Sequence, residues 1–204
     1  MKYKVSLLLV ALCLATLPLY AQEEKRDWLL ELGMGTTTYG SDARLSLMAG
    51  GDATYQIVPT LLLKLNYKKF GLELGYTFAE TAAAGMKEHV DLYAVMPNGT
   101  ALFPLTGKLD LELSGSIGML IAHNRYEWGG KTYGTTRPGA VWRVGLGVLY
   151  RYDSDGSFLG LRCGLFDYGA LDNTKFSLPT GLQATGETGV MSGVSLMLVS
   201  GVRF

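Results

Sequence analysis

The sequence has few of the residues on which many active sites depend, and neither sign of charge is in excess. It contains two cysteines and two histidines, and its 18 basic residues balance its 18 acidic ones. Without a basic excess we expect no nucleic acid partner. Cys13 lies in an N-terminal apolar run, so once that run is removed Cys163 is alone and no disulfide can form within the chain.

The N-terminal segment has the parts of a secretory signal. Lys2 and Lys4 precede an apolar run over residues 5–17, and Pro18 ends that run before the small residue Ala21. The run is shorter than the roughly 20 residues that a membrane-spanning helix needs, and no later segment approaches that length. We therefore expect residues 1–21 to be a signal peptide cleaved after Ala21, and residues 22–204 to form one exported domain.

Alternation of apolar and polar residues dominates the exported part. Leu109, Leu111 and Leu113, for example, alternate with Asp110 and Glu112. A period of two is typical of β-strands with one apolar face, and 27 glycines against six prolines suit β-structure with close backbone approaches. We predict eight strands, around residues 28–35, 55–67, 70–78, 90–104, 109–121, 142–152, 159–165 and 193–204.

The connections between these strands alternate in length, which is typical of transmembrane barrels. The short connections are residues 68–69, 105–108 and 153–156, and the long ones are 39–53, 80–88, 122–139 and 169–188. The inward and outward phase of residues 90–104 is ambiguous, and Pro97-Asn98-Gly99 predicts a break or bulge there. Ten strands, with a further hairpin at residues 44–49, are an alternative that abandons the regular alternation.

The two faces of the predicted strands favour a bilayer over water. The apolar face carries no ionisable residue at the positions assigned to it, as expected where an Arg or Lys at the membrane midplane costs about 2–4 kcal/mol. Aromatic residues border this face at both ends, as at two headgroup levels. They are Trp28, Tyr67, Phe70, Tyr152 and Phe204 towards the short connections, and Tyr39, Tyr55, Phe78, Trp142 and Phe166 towards the long ones. Because a lipid-exposed sheet edge would leave backbone groups unpaired, the sheet must close. The prediction is an all-β, eight-stranded, antiparallel up-and-down transmembrane β-barrel, with a soluble periplasmic β-domain as the alternative.

The last strand carries a further signal. Leu196, Leu198, Val202 and Phe204 alternate up to a terminal aromatic residue, and only Ser200 departs from the apolar pattern. In this strand and in its architecture the chain resembles the small eight-stranded outer-membrane barrels of Gram-negative bacteria, the OmpA/OmpX-like group, and more loosely the outer membrane protein β-barrel domain families. The resemblance implies residence in the outer membrane beside lipid and lipopolysaccharide. It also implies that these four residues are an assembly signal for the outer-membrane assembly machinery.

The opposite face predicts a charged interior. Eight strands leave a lumen just wide enough for side chains, and buried charges are tolerated only when paired. We therefore predict an interior salt-bridge network in which Arg203 meets acids of the first strand such as Glu31. The predicted members are Glu31, Lys64, Glu73, Asp91, Asp110, Glu112, Arg143, Arg151, Arg162 and Arg203. The alternative is a charged constriction of a small pore.

Candidate catalytic and metal-binding residues are few. His89 and Asp91 share a strand face, which is one element of an acid–base site, but no serine lies two residues from either histidine, and only a loop serine such as Ser41 remains as a nucleophile. Residues 153–156 (DSDG) make a turn and lack the further ligands of a calcium loop. The sequence predicts no catalytic, metal or cofactor site.

The sequence leaves three functions open. The first is a non-enzymatic outer-membrane barrel that anchors outer loops for structural, adhesive or ligand-contacting roles. Residues 128–134 (WGGKTYG) are a candidate outer loop for an external ligand. The second is a small porin-like channel or transporter, and the third is a lipid-modifying enzyme.

Overall fold

The eight predicted strands are present and form one closed barrel. The computed structural model of the chain describes residues 27–39, 58–83, 86–152, 156–171 and 189–204. The strands are β1 (Trp28–Tyr39), β2 (Val58–Tyr67), β3 (Phe70–Ala83), β4 (Met86–Pro104), β5 (Leu109–Trp128), β6 (Lys131–Arg151), β7 (Phe158–Leu171) and β8 (Gly189–Arg203). Each strand pairs with the next in antiparallel fashion, and β8 pairs with β1. The all-β, eight-stranded, antiparallel fold is therefore confirmed.

The first and last strands close the barrel wall. Trp28 N–H donates to the carbonyl oxygen of Phe204 at 2.9 Å, and Phe204 N–H donates to the carbonyl oxygen of Trp28 at 3.0 Å. Above this rung the β1–β8 ladder runs from Leu29 opposite Arg203 to Tyr39 opposite Gly193. Because every strand has two neighbours, the wall leaves no open edge where the ladders run.

Burial alternates along the strands as one-sided patterning requires. In β2, successive residues from Val58 to Tyr67 are buried and exposed in strict turn. The exposed set is largely leucine and aromatic, including Leu61, Leu63 and Leu65, so the barrel is apolar on the outside. Such a surface would be unfavourable in water and suits lipid. Among the described residues, no helix is long and apolar enough to cross a membrane.

Two of the predicted short connections are tight turns. Lys68-Lys69 joins β2 to β3, with Lys68 at a positive φ of 57°. Residues 105–108 join β4 to β5, with Leu105 N–H donating to the Leu109 carbonyl oxygen at 2.8 Å. The third, at residues 153–156, lies mostly outside the described residues, as do residues 1–21, Ser41, Tyr55 and the alternative hairpin at 44–49.

The predicted break at Pro97 is wrong. Strand β4 is continuous through Pro97, although its ladder with β5 skips Met96 and Pro97. Val95 lies opposite Met119 and Asn98 opposite Ser116, so the register is the same on both sides of the gap. Proline has no N–H to donate, and the effect of Pro97 is a local gap in the β4–β5 ladder.

Two of the predicted long connections are mainly strand. β4, β5 and β6 have 19, 20 and 21 residues, whereas a barrel strand needs about 9–11 to cross a bilayer. β5 and β6 meet at Gly129-Gly130, whose φ angles of 58° and 76° are both positive, as a two-residue type I′ hairpin requires. Residues 128–134 are therefore a hairpin tip and not a long loop. We call residues 79–83, 86–91, 122–128 and 131–138 the strand extension.

Candidate functional site: the charge network inside the barrel

Four charged side chains from four different strands meet inside the barrel. Arg162 Nη1 lies 2.6 Å from Glu31 Oε1, and Arg162 Nη2 lies 2.5 Å from Glu112 Oε2. Lys64 Nζ lies 2.7 Å from Glu112 Oε1 and 3.8 Å from Glu31 Oε1. All four side chains are at most 3% exposed. Two carboxylates thus neutralise two cations, which is the condition for burying charge.

Glycines make room for this cluster. A Cβ at Gly145 would lie 3.0 Å from Arg162 Cδ and 2.8 Å from Ser114 Oγ. A Cβ at Gly147 would lie 3.3 Å from Glu112 Oε2. Both glycines face inward from β6, the strand between those that carry Glu112 and Arg162. Small residues on one strand therefore provide the volume that the long charged side chains of its neighbours occupy.

Two further ion-pair groups extend the network. Arg143 Nη1 donates to Glu73 Oε1 at 2.7 Å, and both side chains are buried. Asp110 accepts from Arg203 Nη2 at 3.0 Å and lies 3.2 Å from Arg151 Nη2. Nine of the ten residues assigned to the network from the sequence therefore face inward and are in ion pairs with one another.

Asp91 is the exception, because it lies on the outer face of the barrel. In β4 the inward residues are Val90, Leu92, Ala94 and Met96, and Asp91 shares the outward side with Tyr93. The phase of β4 was ambiguous because both of its faces are apolar. Asp91 is nevertheless only 9% exposed, since neighbouring side chains cover it.

Arg203 has an ion pair that the sequence does not predict. Arg203 lies opposite Leu29 of β1, but its guanidinium contacts Asp110 of β5. Glu31 instead contacts Arg162 and Lys64. The ring of Phe158 lies 5.6 Å from the Arg203 guanidinium, as in a cation–π contact. Which acid Arg203 reaches depends on the stagger of the strands, which the sequence pattern does not encode.

Apolar clusters accompany the charges inside the barrel. One consists of Leu29, Leu62, Leu149, Phe158, Met197 and Val199. The other lies towards the strand extension and consists of Val58, Val90, Leu92, Ala94, Met96, Leu120, Ala122, Val141 and Phe166. Phe166 was expected among the outer aromatic residues, but as an even-numbered residue of β7 it faces inward with Arg162.

Neutral polar side chains line other parts of the interior. Thr60 Oγ1 lies 2.7 Å from Thr37 Oγ1 and 3.1 Å from Thr77 Oγ1, linking three strands. Asn66 Nδ2 donates to Thr100 Oγ1 at 3.0 Å. The alternation that places Lys64 and Glu73 inside also places Thr60, Asn66 and Thr77 on the inward face, and all three are buried there.

The two histidines make contacts outside the barrel. His89 and Asp91 do share the outer face, but His89 Nδ1 lies 2.9 Å from Glu80 Oε1. His123 Nδ1 lies 2.9 Å from Thr136 Oγ1. Among the described residues, no group of three His, Cys, Asp or Glu side chains is placed to hold a metal ion.

Two solved structures are similar over most of the chain. Neisserial surface protein A (NspA) matches with a TM-score of 0.55 at 14% sequence identity, covering 87% of this chain and 97% of NspA. Ail, the attachment invasion locus protein of Yersinia pestis, matches with a TM-score of 0.50 at 14% identity, covering 88% of this chain and 99% of Ail. The chain has the fold of the small outer-membrane β-barrels. No protein-family profile and no curated protein sequence matches it.

Proposed function

We propose that the protein is a non-enzymatic outer-membrane barrel. Paired charged side chains fill its lumen, and its strand extension lies outside the cell. The observation that supports this most directly is the buried cluster of Glu31, Lys64, Glu112 and Arg162. An eight-stranded lumen is just wide enough for side chains, and these four meet across it. Apolar side chains fill further space towards the extension.

Anchoring in the outer membrane fits the outer surface of the barrel. Exposed leucines and aromatic residues cover it, and Trp28, Tyr67, Phe70 and Phe204 lie near the end with the short turns. In this proposal residues 1–21 direct export and residues 22–204 form the barrel domain. The signal for the assembly machinery is the set of residues that share the outward face of β8: Leu196, Leu198, Val202 and Phe204. Lipid and lipopolysaccharide surround the folded barrel.

Contact with an external ligand or surface is the role we propose for the strand extension. The extension projects on the side opposite the turns at 68–69 and 105–108 and ends in the hairpin at Gly129-Gly130. Ail, which shares the fold, is named for attachment and invasion. By analogy we propose an adhesive or ligand-contacting role for this chain.

Two measurements test the proposal. In cells, the protein is expected in the outer-membrane fraction and to migrate differently on gels before and after boiling, because a folded barrel resists detergent. In a planar bilayer, the purified protein is expected to give no stable channels. Reproducible single-channel steps would refute the closed lumen and support a small porin-like channel. Absence of the protein from the outer-membrane fraction would refute the anchoring role.

A further inference from the structure

A polar and aromatic cluster lies on the outside of the barrel where the apolar surface meets the strand extension. Tyr76 of β3 lies opposite Tyr93 of β4, and their rings stack with centroids 5.1 Å apart. Phe78 stacks on Tyr76 at 5.9 Å. Aromatic rings at the edge of the apolar surface belong at the level of the lipid headgroups.

Above the rings, Asp91 holds an arginine in place. The Tyr76 hydroxyl donates to Asp91 Oδ1 at 2.7 Å, and Arg125 Nη2 donates to Asp91 Oδ2 at 3.1 Å. Asp91 is thereby covered, while the side chain of Arg125 stays 51% exposed. A guanidinium has five N–H donors, so Arg125 retains donors that face outward beside the rings.

Other polar side chains of this outer face lie close to partners of their own. Glu80 is within 2.9 Å of His89, and Lys87 lies opposite Glu127 in the β4–β5 ladder. His123 lies opposite Asp91 and contacts Thr136. Among the described residues of this face, Arg125 is thus a cation that a buried carboxylate orients and that is still half exposed to a ligand.

The geometry points to a site for the phosphorylated sugar headgroup of an outer-leaflet glycolipid, formed by Tyr93, Tyr76 and Arg125. The apolar face of a sugar ring packs on the exposed ring of Tyr93, and a phosphate accepts hydrogen bonds from Arg125 in the planar geometry that arginine favours. The acyl chains then lie along the exposed apolar residues below, beginning with Val95 and Ile121. This site rests on the proposed outer-membrane location.

Native mass spectrometry of the refolded protein tests this site. The probe is lipopolysaccharide without O-antigen, and the readout is the fraction of protein that retains one lipid molecule. Arg125→Gln and Tyr93→Leu are each expected to weaken retention by about ten-fold. Lys108→Ala removes an exposed cation at the opposite end of the barrel and is the matched control, with retention unchanged.

Several outcomes would overturn the site. Equal retention of lipopolysaccharide by Arg125→Gln and Lys108→Ala would do so. Retention of phosphatidylglycerol equal to that of lipopolysaccharide would also do so, because it would show only a general attraction of anions. Displacement of the lipid by inorganic phosphate would show that the sugar and acyl parts contribute nothing. Heat-modifiable migration of each variant confirms that the barrel is folded, so loss of lipid binding is distinguished from failure of the outer-membrane proposal.

Discussion

Arg162 and Glu112 meet at 2.5 Å inside the barrel although their strands, β7 and β5, are not neighbours. β6 lies between them, and its inward Gly145 and Gly147 leave the space through which the two side chains reach each other. Glu31 and Lys64 join from the other half of the wall. The ion pairs therefore tie together strands that share no backbone hydrogen bonds.

Removing Glu112 is expected to be strongly destabilising. Glu112→Ala leaves Lys64 and Arg162 buried with less compensating charge, and breaking a buried ion pair costs about 3–5 kcal/mol. The measurement is the free energy of unfolding by urea in detergent micelles. Glu127→Ala, which removes an exposed carboxylate from the same strand, is the control and is expected to change stability by less than about 0.5 kcal/mol. Similar losses for the two variants would contradict a special role for Glu112.

Arg203 and Asp110 are expected to be energetically coupled. In a double-mutant cycle with Arg203→Ala and Asp110→Ala, residues that share an ion pair give an interaction energy of about 0.5–3 kcal/mol. Glu73→Ala replaces Asp110→Ala in the control cycle, because Glu73 contacts Arg143. Additive effects in the first cycle would show that the contact between Arg203 and Asp110 contributes nothing to stability.

Gly145→Ala is expected to destabilise the barrel by overpacking. The new methyl group would stand 2.8 Å from Ser114 Oγ and 3.0 Å from Arg162 Cδ, and inserting a group into a filled interior costs about 1–3 kcal/mol. Gly99→Ala is the control, since the nearest atom to its Cβ is 3.7 Å away. Urea unfolding that ranks the two variants equally would refute the idea that Gly145 provides space for Arg162.

Gly130→Ala is expected to weaken the hairpin tip through its backbone alone. A Cβ at Gly130 would meet nothing within 4 Å. The φ of this residue is 76°, however, and residues with a side chain adopt such an angle at a cost of about 1–2 kcal/mol. Gly107→Ala also adds a methyl group in open space, in another turn and without a positive φ, and serves as the control. Amide hydrogen exchange is expected to rise in residues 123–137 for Gly130→Ala only. Unchanged exchange in both variants would contradict this account.

The sequence pattern predicts the barrel well where the two faces differ strongly in polarity. One short segment identifies a strand, its inward face and two interior acids together. In it Leu109, Leu111 and Leu113 alternate with Asp110 and Glu112. This is possible because lipid and a packed lumen require opposite chemistry. The inward and outward faces of such strands can therefore be assigned before the fold is known.

The same logic fails where both faces are apolar. In β4, Leu92, Ala94 and Met96 lie inside, and Tyr93 and Val95 lie outside. Alternation then carries no information about which face is inward, and the pattern places Asp91 in the lumen although it lies outside. The pattern also predicts a loop at Gly129-Gly130 where the structure has a hairpin tip, because a strand that continues beyond the bilayer no longer needs an apolar outer face.

Lateral contacts between distant strands are the least predictable feature. Arg203 reaches Asp110 because the strands are staggered around the barrel, and a stagger is a property of the closed sheet and not of any one segment. A list of inward charges can therefore be read from the sequence, whereas their partners cannot.

In the orientation proposed above, the unequal lengths of the strands have a practical consequence. From Ile121 to Trp128, β5 continues for seven residues, or about 23 Å along the strand at about 3.3 Å per residue. The two glycines at its end would thus stand clear of the surrounding lipid on a hydrogen-bonded support. A short epitope tag inserted between them would be displayed to antibodies on intact bacteria, while the barrel wall below remained unchanged.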